Sequence, residues 1–83
     1  MKTISKKNWK TLSERATLFF SKYGQVNAVG QTLLKNGKVH ADGDIGIFVG
    51  FQNLNKGITL KKIPISFEDF PCKIEKLGEI KPL

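Results

Sequence analysis

Two apolar patterns of different period divide the first fifty residues of the chain. Apolar side chains recur at spacings of three and four between Trp9 and Tyr23, which is the spacing of one face of an α-helix. We predict an amphipathic helix with Asn8 as its N-cap, or Thr11 with Glu14 one turn later, and Gly24 as a left-handed residue just past its end. Leu18 falls on the opposite, exposed face. The predicted buried stripe consists of Trp9, Leu12, Ala16, Phe19, Phe20 and Tyr23.

From Val26 to Phe51 the residues become β-branched and apolar on both sides of an Asn36-Gly37 pair. Asn and Gly tolerate positive φ, which a two-residue type I′ turn requires, so this pattern predicts a long hairpin. A bulge near Gly43 or Gly46 would shift the register by one residue. The predicted pairs are Leu34 with Val39, Thr32 with Ala41, Ala28 with Ile45 and Val26 with Ile47. The predicted helix-covered face comprises these residues with Gly30, Val49 and Phe51.

The last third of the chain predicts one more strand. Residues 70–76, FPCKIEK, alternate so that Cys72 and Ile74 point inward, and Ile80 and Leu83 are predicted as loose apolar anchors. We therefore predict one α+β domain over residues 1–83, with residues 1–7 loose. One N-terminal helix packs on a three- to four-stranded, mainly antiparallel sheet built on the central long hairpin.

The face of the hairpin opposite the helix suggests a binding surface. By the predicted register this face carries Val29, Leu33 and Phe48, and an apolar strip on the open side of a thin sheet often marks a contact surface. The alternative is that the C-terminal segment, or Phe67 and Phe70, folds over the strip. We predict a non-catalytic protein-binding or accessory module that contacts a protein partner, or a second copy, through this face or a sheet edge.

Charge brings in a second function class. The formal net charge is +7, and residues 1–24 alone carry +5, whereas residues 25–52 are neutral. A basic N-terminal segment on a near-neutral body attracts anionic partners. The alternative function is therefore a basic nucleic-acid-binding protein whose helix contacts phosphates. The residues predicted for that role are Lys6, Lys7, Lys10 and Arg15. A Lys-rich helix face that is merely solvated explains the same pattern.

The sequence lacks the residue sets of several other functions. His40, Asp42 and Asp44 would lie about 6.5–7 Å apart on alternate positions of one strand, too far to close on one metal ion. Cys72 is the only cysteine, on an apolar alternation that favours a buried, inert thiol. Phosphate-binding glycine loops are missing, as are apolar runs long enough to cross a membrane. We predict no enzyme, cofactor, metal, small-molecule substrate or membrane partner, and a cytoplasmic location.

Three blocks of residues resemble a known protein segment. Residues 27–30 (NAVG), residues 44–49 (DIGIFV) and a third block follow one another in a familiar order. The third block contains Ile63, Pro64, Pro71, Cys72, Ile74, Gly78 and Ile80. The order resembles the small N-terminal segment that precedes the catalytic domain in a group of bacterial trypsin-like serine peptidases. The resemblance implies a non-catalytic accessory domain, and catalysis does not transfer because the catalytic residues of those peptidases lie in the following domain.

Overall fold

The computed structural model describes residues 4–77 and has the predicted α+β architecture, with one α-helix packed on a sheet. The sheet is larger than predicted, because it has five strands in the order β2-β1-β3-β5-β4. It is also mixed, since β3 and β5 are parallel and the other neighbours are antiparallel. The elements are α1 (Lys6–Phe20), β1 (Gly24–Lys35), β2 (Lys38–Val39), β3 (Asp44–Leu54), β4 (Ser66–Phe67) and β5 (Phe70–Lys76).

Helix α1 buries the predicted stripe against the inner face of the sheet. Leu12, Ala16 and Phe20 are buried in the core, and the three remaining stripe residues, Trp9, Phe19 and Tyr23, pack against it. The core also contains three fully buried β3 residues, Ile47, Val49 and Phe51. Alternation along β3 sends these three to the same side of the sheet. The helical period of the sequence therefore identified the packed face correctly.

Both predicted ends of α1 were wrong. The helix begins at Lys6, and the N-cap is Ser5, whose hydroxyl accepts a hydrogen bond from the Asn8 backbone N–H at 3.3 Å. Ser and Asn are equally good N-caps, so residue type alone does not distinguish Ser5 from Asn8. At the other end Ser21 stays in right-handed helical space, and Gly24 is the first residue of β1. A side chain at Gly24 would collide with the carbonyl oxygen of Asn53 on β3, which explains the glycine.

The Asn36-Gly37 turn forms as predicted, with φ of 54° and 79°. The strand that follows the turn is only two residues long, and it lies on the edge of β1 away from β3. Leu34 consequently pairs with Val39 on one side and with Asp44 on the other. Residues 40–43 carry the chain from one edge of β1 to the other, and a Cβ at Gly43 would lie 2.5 Å from the backbone of Leu34.

This crossing moves the pairing of β1 with β3 by five residues from the predicted register. Thr32 pairs with Gly46 and Ala28 with Gly50, five residues beyond their predicted partners. Val26 pairs with Phe51, four residues beyond, because the register is irregular on both sides of Val26, so three of the four predicted pairs are wrong. A shift by an odd number exchanges the two faces of β1 relative to β3. The β1 residues that share a face with Phe48, opposite α1, are therefore Ala28, Gly30, Thr32 and Leu34.

A crossover over residues 55–69 connects β3 to the parallel strand β5. It includes a 3-10 turn at Leu60–Lys62 and places Ile63 in the core, with Ile58 and Phe67 packed against it. Strand β5 has the predicted bounds, and Cys72 and Ile74 face the core as predicted. Ile80 and Leu83 lie outside the described residues.

Candidate functional site

The edge of β1 is open along most of its length. Within residues 4–77, β3 covers one side of β1, while β2 pairs with the other side only at Leu34 and Lys35. Residues 24–33 thus have no strand neighbour on that second side. An uncovered strand edge is a template on which another chain can pair.

The backbone hydrogen bonds show which groups the open edge presents. The Leu33 carbonyl points to this edge, because it accepts a hydrogen bond from the His40 N–H at 3.0 Å. Backbone groups alternate along an antiparallel strand, and the register with β3 is continuous from Ala28 to Leu34. Val29 and Gln31 therefore direct their N–H and C=O groups to the open edge, and Gly30 and Thr32 direct theirs to β3.

The opposite edge of the sheet has a different chemistry. Strand β4 covers only the start of β5, at Phe70 and Pro71, and residues 73–76 continue past it. Three of those four residues are charged, namely Lys73, Glu75 and Lys76. Charged side chains are a common protection against unwanted strand pairing. Residues 24–34 of β1 carry no charge, so the two edges differ in their readiness to accept another strand.

The structure separates the three residues predicted as a protein-binding strip. Val29 pairs with Val49 and packs against the core on the α1 side, and Leu33 pairs with Ile45 on that same side. Phe48 lies on the opposite face, because it alternates with Val49. The predicted strip of Val29, Leu33 and Phe48 is therefore wrong as a continuous surface, since the five-residue register shift turns β1 over relative to β3.

The face of the sheet away from α1 has two glycines on its central strand, with Leu34 packed over Gly46 and Leu77 over Gly50. Its central strand contributes Gly46, Phe48 and Gly50, and the ring of Phe48 lies along its own strand, with Cε1 3.3 Å from an ideal Cβ at Gly50. A Cβ at Gly30, directly across from Phe48, would have no atom of residues 4–77 within 4 Å. Within this part of the chain the space above Gly30 is therefore empty, and it borders the open edge of β1.

The basic residues of α1 divide into two groups. Lys6, Lys7 and Lys10 are exposed in the first turns of the helix, where the helix dipole is positive and the first turn has no acidic residue. Arg15 is instead held in a two-bond pair with Glu68, with Nε–Oε2 2.7 Å and Nη2–Oε1 2.8 Å. This hydrogen bonding lowers the pKa of Glu68 and raises that of Arg15. Of the four residues predicted for phosphate contacts, three present an uncommitted charge.

The candidates for metal or nucleophile chemistry have other roles. The ring Nδ1 of His40 accepts a hydrogen bond from the Asp42 N–H at 3.0 Å, so this stretch is a loop, not the predicted strand. Residues 4–77 contain no group of three His, Cys, Asp or Glu side chains that could hold a metal ion. Burial raises the pKa of the Cys72 thiol to about 11, which disfavours the reactive thiolate.

Helix α1, with 15 residues, is too short to cross a membrane, and no other helix of residues 4–77 qualifies. Comparison of the chain with family models, curated proteins and solved structures finds no match.

The open edge of β1 becomes visible only from the order of the strands in the sheet. Its only sequence signal is the uncharged run from Gly24 to Leu34, which sequence reasoning assigned to a paired strand.

Proposed function

We propose that this chain is a non-catalytic protein-binding module that accepts an extended segment of a partner protein along the open edge of β1. The observation that carries the proposal is the uncharged edge from Gly24 to Leu33, which has no strand neighbour within residues 4–77, in contrast to the charged edge of β5 on the other side of the sheet. The accessory role implied by the resemblance to peptidase N-terminal segments belongs to the same proposal. So does a cytoplasmic location.

The edge supplies both affinity and register. Two outward-facing residues, Val29 and Gln31, offer four backbone groups, and each hydrogen bond made on binding contributes about 0.5–1.5 kcal/mol net. Strand addition uses such main-chain bonds for affinity and alternate side chains for specificity. At about 3.3 Å per residue, the ten residues of the open edge accommodate an extended segment of roughly 30 Å. Main-chain pairing alone supports weak binding, so side-chain contacts must supply the rest.

A proline substitution at Gln31 tests the edge directly. Proline removes one N–H, and at Gln31 that N–H faces the open edge, where proline is tolerated in a sheet. We expect Gln31→Pro to fold, as judged by its circular dichroism and cooperative melting, and to lose binding of peptides selected from a phage-displayed random library on the wild-type protein. The matched control is Thr32→Pro, whose missing N–H breaks the ladder with β3 and costs about 1–3 kcal/mol of stability.

Amide hydrogen exchange gives a second test that needs no substitution. In the free protein the Gln31 amide should exchange much faster than the neighbouring Thr32 amide, and a selected peptide should slow exchange at Gln31. Peptides that bind with unchanged exchange at Gln31, or that bind Gln31→Pro equally well, contradict strand addition at this edge.

A second candidate function rests on the lysines at the start of α1. Lys6 and Lys7 lie in the first turn, at the positive end of the helix dipole, an unfavourable placement that costs about 0.3–1 kcal/mol each at low salt, and Lys10 follows in the next turn. A polyanion such as nucleic acid would relieve this repulsion. The position of the lysines at the start of α1 thus favours the nucleic-acid alternative, although the charge of Arg15 is paired with Glu68.

Salt titration separates this candidate from strand addition. If three lysines contact phosphates, the logarithm of the duplex-DNA association constant should fall with the logarithm of salt with a slope near −2.7, which is about 40-fold between 50 and 200 mM. The double variant Lys7→Glu with Lys10→Glu should abolish binding measured by fluorescence anisotropy. Undetectable binding of duplex and single strands at 50 mM salt eliminates this candidate.

A further inference from the structure

Gly30 occupies a position where the fold itself does not need glycine. Of the seven glycines in residues 4–77, two have positive φ, and four others would bring a Cβ within 3 Å of another atom. Gly30 has neither property, because its φ is that of ordinary strand backbone and its Cβ site is empty. Glycine inside a strand costs about 0.5–1 kcal/mol relative to alanine, and it often marks a place where a ligand or another chain approaches closely.

The empty space above Gly30 lies between the open edge and Phe48. Gly30 faces β3 with its backbone groups, so an antiparallel strand added to the open edge meets Gly30 at a non-hydrogen-bonded position. Paired residues at such positions are only about 4.5 Å apart between Cα atoms, with their side chains close. The partner side chain opposite Gly30 therefore projects on the face away from α1, next to the empty space.

The distance across Gly30 decides the size of that side chain. Neighbouring strands are about 4.8 Å apart, so the partner strand lies two spacings, roughly 9.6 Å, from Phe48. Threonine and valine are too short to cross Gly30 and touch the Phe48 ring, whereas an aromatic side chain spans the gap. Covering a strand glycine with a neighbouring aromatic ring is an established stabilising arrangement in sheets.

We propose that the β1 edge selects an extended partner segment with an aromatic residue opposite Gly30, whose ring lies over Gly30 against Phe48. This inference rests on strand addition as the function of the edge. A second copy of β1 does not fit this requirement, because residues 25–33, QVNAVGQTL, contain no aromatic side chain. A second copy also adds another net charge of +7, so a neutral or acidic partner protein is the better occupant.

Phage-displayed random nonapeptides are the probe for this preference. Selection on the wild-type protein should enrich peptides with an aromatic residue at one constant position among β-branched residues. Replacing that aromatic by alanine should weaken binding about tenfold. Selection on Gly30→Val, which fills the space, should lose the constant aromatic. Thr32→Val is the control: Thr32 lies on the same face, two residues from Gly30, and selection on this variant should still enrich the constant aromatic.

The outcomes separate this inference from the function on which it rests. Two outcomes overturn the role of Gly30 but are compatible with strand addition. In the first, the selected peptides require the Gln31 N–H but have no constant aromatic position. In the second, peptides selected on Gly30→Val have the same aromatic preference. A selection that enriches no peptide overturns both. A concentration-dependent dimer in sedimentation velocity that disappears in Gln31→Pro assigns the edge to a second copy and also overturns the proposal.

Discussion

The same substitution at two glycines of one sheet face should have opposite effects on stability. At Gly30 a valine enters empty space on an ordinary strand backbone, since no atom of the described residues lies within 4 Å of its Cβ. Removing the conformational cost of a strand glycine contributes about 0.5–1 kcal/mol, and the β-branched side chain suits a strand. At Gly46 the Cβ would lie 2.7 Å from both Leu34 Cδ1 and the Pro71 carbonyl oxygen. Overpacking of this kind costs about 1–3 kcal/mol.

Thermal unfolding followed by circular dichroism measures both effects in the full chain. For a domain of this size, 1 kcal/mol shifts Tm by about 4–8 °C. We expect Gly30→Val to raise Tm by about 2–8 °C, and Gly46→Val to lower it by at least 4 °C. A Gly30→Val variant that melts below the wild type would refute the reasoning, because the space beside the open edge would then be occupied. A neutral Gly46→Val would show that the contact with Leu34 is loose.

Three further predictions concern local features and are measured by chemical denaturation. Glu68 and Asp69 form a type I′ turn between β4 and β5, with φ of 49° and 70°. Asp69→Gly should therefore stabilise the protein by about 0.5 kcal/mol, and a loss of stability would contradict this turn geometry. Lys38 lies directly opposite Lys35, and Lys38→Glu should therefore add about 0.5 kcal/mol, an advantage that disappears in 1 M NaCl if it is electrostatic. Phe20 is fully buried and Leu18 is 75% exposed, so Phe20→Ala should cost about 3–5 kcal/mol and Leu18→Ala less than 0.5; equal costs would contradict the packing of α1.

The predicted elements that formed depend on neighbours close in sequence. The stripe from Trp9 to Tyr23 packs as predicted, because a 3.6-residue period defines one helix face regardless of what covers it. The turn at Asn36-Gly37 likewise follows from two residues that accept positive φ. The alternation in β5 also placed Cys72 correctly.

The candidate site was not predictable in the same way. Identifying β1 as an edge strand requires the full strand order, and the crossover that places β5 beside β3 has no helical or hairpin signature in the sequence. The faces of β1 depended on the loop from His40 to Gly43, which crosses the strand and shifts its pairing by five residues. The predicted register was obtained by pairing residues outward from the Asn36-Gly37 turn, which assumes that both strands continue without a break. Here the second strand stops after two residues.

By itself the sequence determined one amphipathic helix, one tight turn, the last strand and a basic surface. The tertiary structure alone decided which strand edge is open, which face Phe48 occupies and that Gly30 borders an empty space. The reason is physical: periodicity and turn chemistry act over a few residues, whereas strand order and register arise from contacts between residues far apart in the chain. A shift of an odd number of residues leaves every local pattern intact and exchanges the two faces of a strand.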